Sequence, residues 1–147
     1  MSPINSSAER AVTTGRWTSR FADLLAAHAL ADFVLQTGWQ ARYKRGGLGS
    51  DARARKALAS HVGVYTLACA GVLAGVARSR GPVTAALTAA AIALPHAAID
   101  DKRLLGVLMR KVKKVDIEPV PAGLSLLVDQ SAHLLSLWTV SRVLGDD

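Results

Sequence analysis

The chain has a single cysteine, Cys69, among 147 residues. One thiol cannot build an internal disulfide framework or a thiolate metal cluster. Acidic residues are also scarce: 11 Asp and Glu stand against 18 Lys and Arg, a formal net charge of +7. No long stretch alternates polar and apolar residues with the period of two that marks a half-buried strand. The first eighteen residues, MSPINSSAERAVTTGRWT, have no apolar core. They do not read as a cleavable signal peptide, and a disordered tail over 1–18 ahead of one domain over 19–147 is expected.

Half of the residues are hydrophobic, and they fall into four blocks: 21–39, 57–77, 82–100 and 122–144. Each block is about 20 residues, the length that crosses about 30 Å of hydrocarbon as a helix. Their Ala and Leu content favours helix, and Gly81–Pro82 suits a helix start. The expected fold is all-α: a four-helix transmembrane bundle. The competing reading is a soluble helical bundle, supported by the Ala-rich blocks one and three. Blocks two and three lack the wide polar face that a soluble bundle helix needs.

Charge gives the expected topology. Arg42, Lys44, Arg45, Arg53, Arg55 and Lys56 lie in the first connector; Lys102, Arg103, Arg110, Lys111, Lys113 and Lys114 lie in the third. The positive-inside rule places both connectors in the cytoplasm and both termini outside, for a multi-pass protein of the inner, cytoplasmic membrane. Charge split between two loops is no continuous nucleic-acid face, so nucleic acid is not an expected partner. In the third connector, Leu104, Leu105, Leu108, Met109, Val112 and Val115 recur at helical spacing against basic residues. That pattern reads either as a basic amphipathic helix on an anionic inner leaflet or as a solvated loop.

The polar residues inside the blocks carry the chemistry. There are four histidines, one per block: His28, His61, His96 and His133. Three have an aspartate one helical turn away: His28 with Asp32, His96 with Asp100, and His133 with Asp129. Counting about 1.5 Å per residue from the cytoplasmic ends puts all seven in one layer, about 3–16 Å deep. Ionisable groups in a membrane span are costly unless paired or hydrated, so the seven are expected to face one another. Imidazole with carboxylate is a ligand set for zinc, manganese or non-haem iron. The histidines are the expected metal ligands, and Asp32, Asp100 and Asp129 the expected ligands or bases. Gln36 and Gln130 would support them or touch substrate, and Lys102 or Arg103 could hold an anionic headgroup. Pro95 removes a backbone hydrogen bond before His96 and predicts a kink there. Gly71 and Gly75 form a small-xxx-small pattern, best read as ordinary membrane packing.

HALADFVLQTGW, the histidine opening helix two, HAAIDDK and DQSAH together resemble the signature of an uncharacterised family of small integral-membrane proteins of bacteria and their phages. The resemblance spans about residues 21 to 144. It implies a multi-pass membrane protein and supplies no activity. Where that family usually carries a Lys three positions after the third-helix aspartate, this chain has Arg103, with Lys102 beside it. A looser likeness is to small membrane-bound metal-dependent hydrolases.

Three functions are therefore expected as alternatives. The first is a membrane metal-dependent hydrolase acting on a lipid-borne substrate, because a metal activates water and polarises an ester. The second is a non-catalytic structural, regulatory or phage-exclusion protein whose polar layer only ties helices together. The third is a small proton or metal permease, which four short helices could build only as a homo-oligomer.

Overall fold

The computed structural model describes residues 19–111 and 122–145. The expected tail, the second half of the third connector with Val112, Lys113, Lys114 and Val115, and both termini lie outside the described residues. Helix is the only regular secondary structure among the described residues. Helix α1 covers 19–29 and continues as a π-helical turn over Leu30–Leu35. α2 is Gly38–Tyr43, α3 Ala52–Ala68, α4 Ala70–Arg80, α5 Pro82–Asp100, α6 Arg103–Lys111 and α7 Ala122–Gly145. α5 is central and packs against α3, α4, α6 and α7.

The first apolar block is not one helix. It stops at Leu35, because Gln36 is extended, with φ −65° and ψ 121°. Thr37 then caps α2 by a reciprocal box with Gln40, which satisfies backbone donors that a new helix start leaves open. The Gln40 side chain also donates to the Ser60 hydroxyl at 3.1 Å, pinning α2 to α3. The second block starts earlier than expected, at an Asp51 cap, and bends by 59° between α3 and α4. The turn falls at Cys69, whose φ −80° and ψ 3° leave the helical region. α5 runs through Pro95 as one element. A Cβ on Gly71 or Gly75 would meet nothing within 4 Å, so neither glycine serves a close contact among the described residues. The described part of the third connector is helical, α6 over Arg103–Lys111, with Leu105 and Met109 buried one turn apart against the bundle.

Among the described residues, one helix, Pro82–Asp100, is long and apolar enough to cross a membrane, and the bent pair Ala52–Ala68 and Ala70–Arg80 passes the same test together. α7 is longer, but Asp129, Gln130, Ser131 and His133 dilute its hydropathy. The distribution of side chains is unusual for a small bundle. His28, His61, His96, His133, Asp100, Asp129 and Lys44 are buried. Phe33, Val34, Leu67, Val83, Leu87, Leu94, Leu127, Leu135 and Val143 are exposed.

The bundle is layered along its axis at four-residue intervals. One layer is apolar: Leu24, Cys69, Ile92 and Leu137 belong to the buried core cluster. One turn on lie His28, Tyr65, His96 and His133, whose rings touch one another. One further turn on lie Asp32, His61, Asp100 and Asp129. The sequence steps run forward in α1 and α5 and backward in α3 and α7, as antiparallel helices require.

The loop from α2 to α3 closes over the end of α5. Gly47 lies so close to α3 that a Cβ there would stand 2.5 Å from Leu58 Cβ. The Leu48 N–H donates to Asp101 Oδ1 at 2.8 Å, and Arg103 Nε donates to Asp101 Oδ2 at 2.6 Å. Burial works to raise the Asp101 carboxyl, but the Arg103 guanidinium and the Leu48 amide outweigh it and hold the group below its ordinary value. A depressed folded pKa contributes stability above the unfolded value, about 3.9 for Asp, and loses it as pH falls through the folded value. The exchange protection of the Leu48 amide, corrected for intrinsic rate, is thus expected to stay constant from pH 7 to 5 and to drop below about pH 4. Asp101→Asn should lower it about tenfold at neutral pH, since a hydrogen bond to a charged acceptor contributes about 1.5 kcal/mol or more. Equal protection in the variant would refute this anchoring role.

Candidate metal centre

The two inner layers bring together all seven predicted His and Asp side chains. His61 Nε2 lies 2.9 Å from Asp100 Oδ2 and 3.2 Å from Asp32 Oδ1. His96 Nε2 lies 3.2 Å from Asp100 Oδ2, 3.6 Å from Asp32 Oδ1 and 3.1 Å from His61 Nε2. His133 Nε2 lies 3.7 Å from Asp100 Oδ1 and 3.9 Å from Asp129 Oδ1. His28 Nε2 is 3.8 Å from Asp32 Oδ2.

Helix geometry explains the convergence. Residues four apart share a face, so each His–Asp pair projects inward from one helix. The rings lean toward the carboxylate layer through their Nε2 atoms. Tyr65 stacks on His96 at 3.8 Å with an interplanar angle of 8° and holds that ring by its face.

The donor atoms sort into three overlapping groups: His28, His96 and His133; Asp32, His61, His96 and Asp100; and Asp100, Asp129 and His133. Within each group one atom per residue lies within 4.8 Å of the others. The second group is tight. A tetrahedral ion with N and O ligands at about 2.0–2.1 Å has ligand-to-ligand edges near 3.3–3.4 Å. The five separations above for that group run from 2.9 to 3.6 Å. Asp32 Oδ1, both Asp100 oxygens, Asp129 Oδ1 and His133 Nε2 are buried within ion-pair range of a partner, yet make no well-directed hydrogen bond. Such inward lone pairs are what a bound cation would satisfy. No one of these groups contains all four histidines: His61 and His96 group with two aspartates, and His28, His96 and His133 group together.

The two glutamines contact the histidines. The Gln36 side-chain nitrogen lies 3.2 Å from each ring nitrogen of His61, and Gln130 Oε1 lies 3.2 Å from His28 Nε2. His28 Nε2 thus stands between Gln130 Oε1 and Asp32 Oδ2. Lys102 pairs with Asp129. Arg103 points elsewhere, to Asp101.

Lys44 was not foreseen as a member. It is buried, its Nζ is 2.7 Å from Asp100 Oδ1 and 3.2 Å from His61 Nε2. In the sequence it is one basic residue of a charged connector. Only the pinning of α2 to α3 through Gln40 turns it inward. Tyr65 was also missed, although it stands one turn after His61 at the spacing used for the aspartates.

No curated protein and no solved structure matches the chain. A family model described as a protein of unknown function, DUF3307, matches residues 21–146, and the chain belongs to that family.

Proposed function

We propose that the chain is a multi-pass protein of the cytoplasmic membrane in which Asp32, His61, His96 and Asp100 hold a divalent cation, zinc, manganese or iron, and that this centre hydrolyses a lipid-borne ester or phosphoester. The observation that carries the metal reading is the set of four buried donors at tetrahedral spacing. The membrane reading is supported by the side-chain distribution: large apolar residues outside and ionisable ones inside. Phe33, Val34, Leu67, Val83, Leu87 and Leu94 are each at least 65% exposed, which costs little against lipid and more against water. All four apolar blocks are spans in this reading, including α1 and α7, whose inward His and Asp face the centre and not lipid. Hydrolysis is the reaction a divalent ion supports in such a site, since it acidifies bound water and polarises the acyl or phosphoryl oxygen. Its substrate would approach from the anionic inner leaflet, on the side where α6 presents Leu104 and Leu108 beside basic residues.

Lys44 and Lys102 favour a second reading. Their ammoniums, with one protonated imidazole, neutralise Asp32, Asp100 and Asp129 with no ion, so the cluster would be a helix-tying network. The two readings separate in one experiment. Protein purified in detergent without added metal should contain a divalent ion. Asp32→Asn and His61→Ala should each reduce that content at least tenfold, as loss of a direct ligand costs more than the 10–100-fold seen for outer partners. A parent protein free of divalent metal, with melting temperature falling in both variants, would sink the metal reading and leave the network.

A further inference from the structure

The three donor groups share residues, and their geometry ranks them. Asp100 faces both ways: Oδ2 turns to His61 and His96, and Oδ1 turns to His133. A carboxylate so placed could bridge two ions. The two sides are not alike. On the Asp32 side the carboxylate oxygens, Asp32 Oδ1 and Asp100 Oδ2, meet imidazole nitrogens in the contacts described above, and the Lys44 ammonium touches that side at His61 Nε2, 3.2 Å away, and not at those oxygens. On the Asp129 side both carboxylate oxygens carry an ammonium: Lys44 on Asp100 Oδ1 and Lys102 on Asp129 Oδ1. The Asp129 side is also wider, with His133 at 3.7 and 3.9 Å from its two aspartates.

Charge points the same way. Three carboxylates, two ammoniums and neutral imidazoles leave one negative charge in the buried layers. A single divalent ion changes that to one positive charge, which a bound hydroxide or a monoanionic ester cancels. A second divalent ion would leave three positive charges where desolvation makes each of them expensive.

We propose that the cluster holds one divalent cation, at Asp32, His61, His96 and Asp100, and that Lys44 and Lys102 take by charge the place of a second ion at Asp100, Asp129 and His133. This rests on the metal-centre reading and adds a stoichiometry and a role for each lysine. Lys102 reaches Asp129 from a backbone held at φ 65°, a left-handed conformation uncommon for a residue with a side chain. That conformation turns the chain from α5 into α6 and aims the ammonium at the layer.

The test is metal stoichiometry on the full chain in detergent, stripped with chelator and titrated with Zn²⁺. The parent should bind about one ion per chain. Asp129→Asn should still bind one, whereas Asp32→Asn should bind none at the parent's saturating concentration. Lys102→Met and Lys44→Met should each approach two, because removing an ammonium opens the second set of donors. Lys102 is partly exposed at the edge of the cluster, with a side-chain accessibility of 25%, so its variant carries the test if Lys44→Met does not fold. Two ions on the parent would overturn this inference and leave the metal centre standing. One ion on the parent and on folded lysine variants alike would overturn the role given to the lysines. No ion on the parent would overturn the metal-centre reading, and this inference with it.

Discussion

Asp100→Ala is expected to abolish the proposed metal binding and to lower the melting temperature by roughly 10 °C. Asp100 is the residue the others share: Lys44, His61, His96 and His133 all lie within 3.7 Å of its two oxygens. Removing it leaves the buried ammonium of Lys44 without its carboxylate. Breaking one partner from a buried pair costs about 3–5 kcal/mol, because the remaining charge is stranded. The double variant Asp100→Ala, Lys44→Met separates the two roles. It removes both charges, so most of the melting temperature should return. The metal should not, since Lys44 is no ligand. A double variant as unstable as the single one would show that the pair is not what stabilises this corner. Metal retained by Asp100→Ala would remove Asp100 from the ligand set.

The second large effect concerns the environment of the bundle. Leu94 lies on α5 and is 69% exposed. In lipid, Leu94→Asp exchanges a favourable side chain for one costing about 2.5–3.5 kcal/mol near the centre of a span. Membrane-inserted protein should fall at least tenfold, read by fractionating cells that express the variant. In water the same change touches no buried contact and should lie within about 0.5 kcal/mol. Full accumulation of Leu94→Asp in the soluble fraction, folded and with its metal, would refute the membrane reading. Leu127 on α7 is 67% exposed and offers an independent second position.

Much of the site was legible before the fold was known, and the reason is periodicity. One histidine per apolar block, three with an aspartate four residues away, is a pattern that only a shared helix face explains. The structure brings those seven side chains together. What periodicity could not supply is where a helix ends. His28, Asp32, Gln36, Gln40 and Lys44 continue the four-residue step, yet the helix breaks between Asp32 and Gln40. Gln36 and Lys44 reach His61 from beyond a break, a tertiary placement set by the Thr37 cap and the Gln40–Ser60 bond. The bend at Cys69 carries no Pro to announce it, and Pro95, which does invite a break, sits inside one continuous helix. Arg103 illustrates a different gap: neighbours in sequence, Lys102 and Arg103, are sent to different aspartates by the turn at Lys102.

The π-helical turn over Leu30–Leu35 makes the cluster unequally sensitive to the length of its chain. A π-turn holds one residue more than an α-turn. Deleting an exposed residue there after Asp32, such as Val34, would let the segment relax to ordinary α-helix with both flanks still facing as before. Asp32 and Gln36 could then both still meet His61. The same loss one turn earlier, in the regular helix between Leu24 and His28, would rotate everything after it by about 100° relative to Leu24, since 3.6 residues make a full turn. Two one-residue gaps that a comparison of sequences would score alike thus differ here: one is absorbed, and the other turns a wall of the site away.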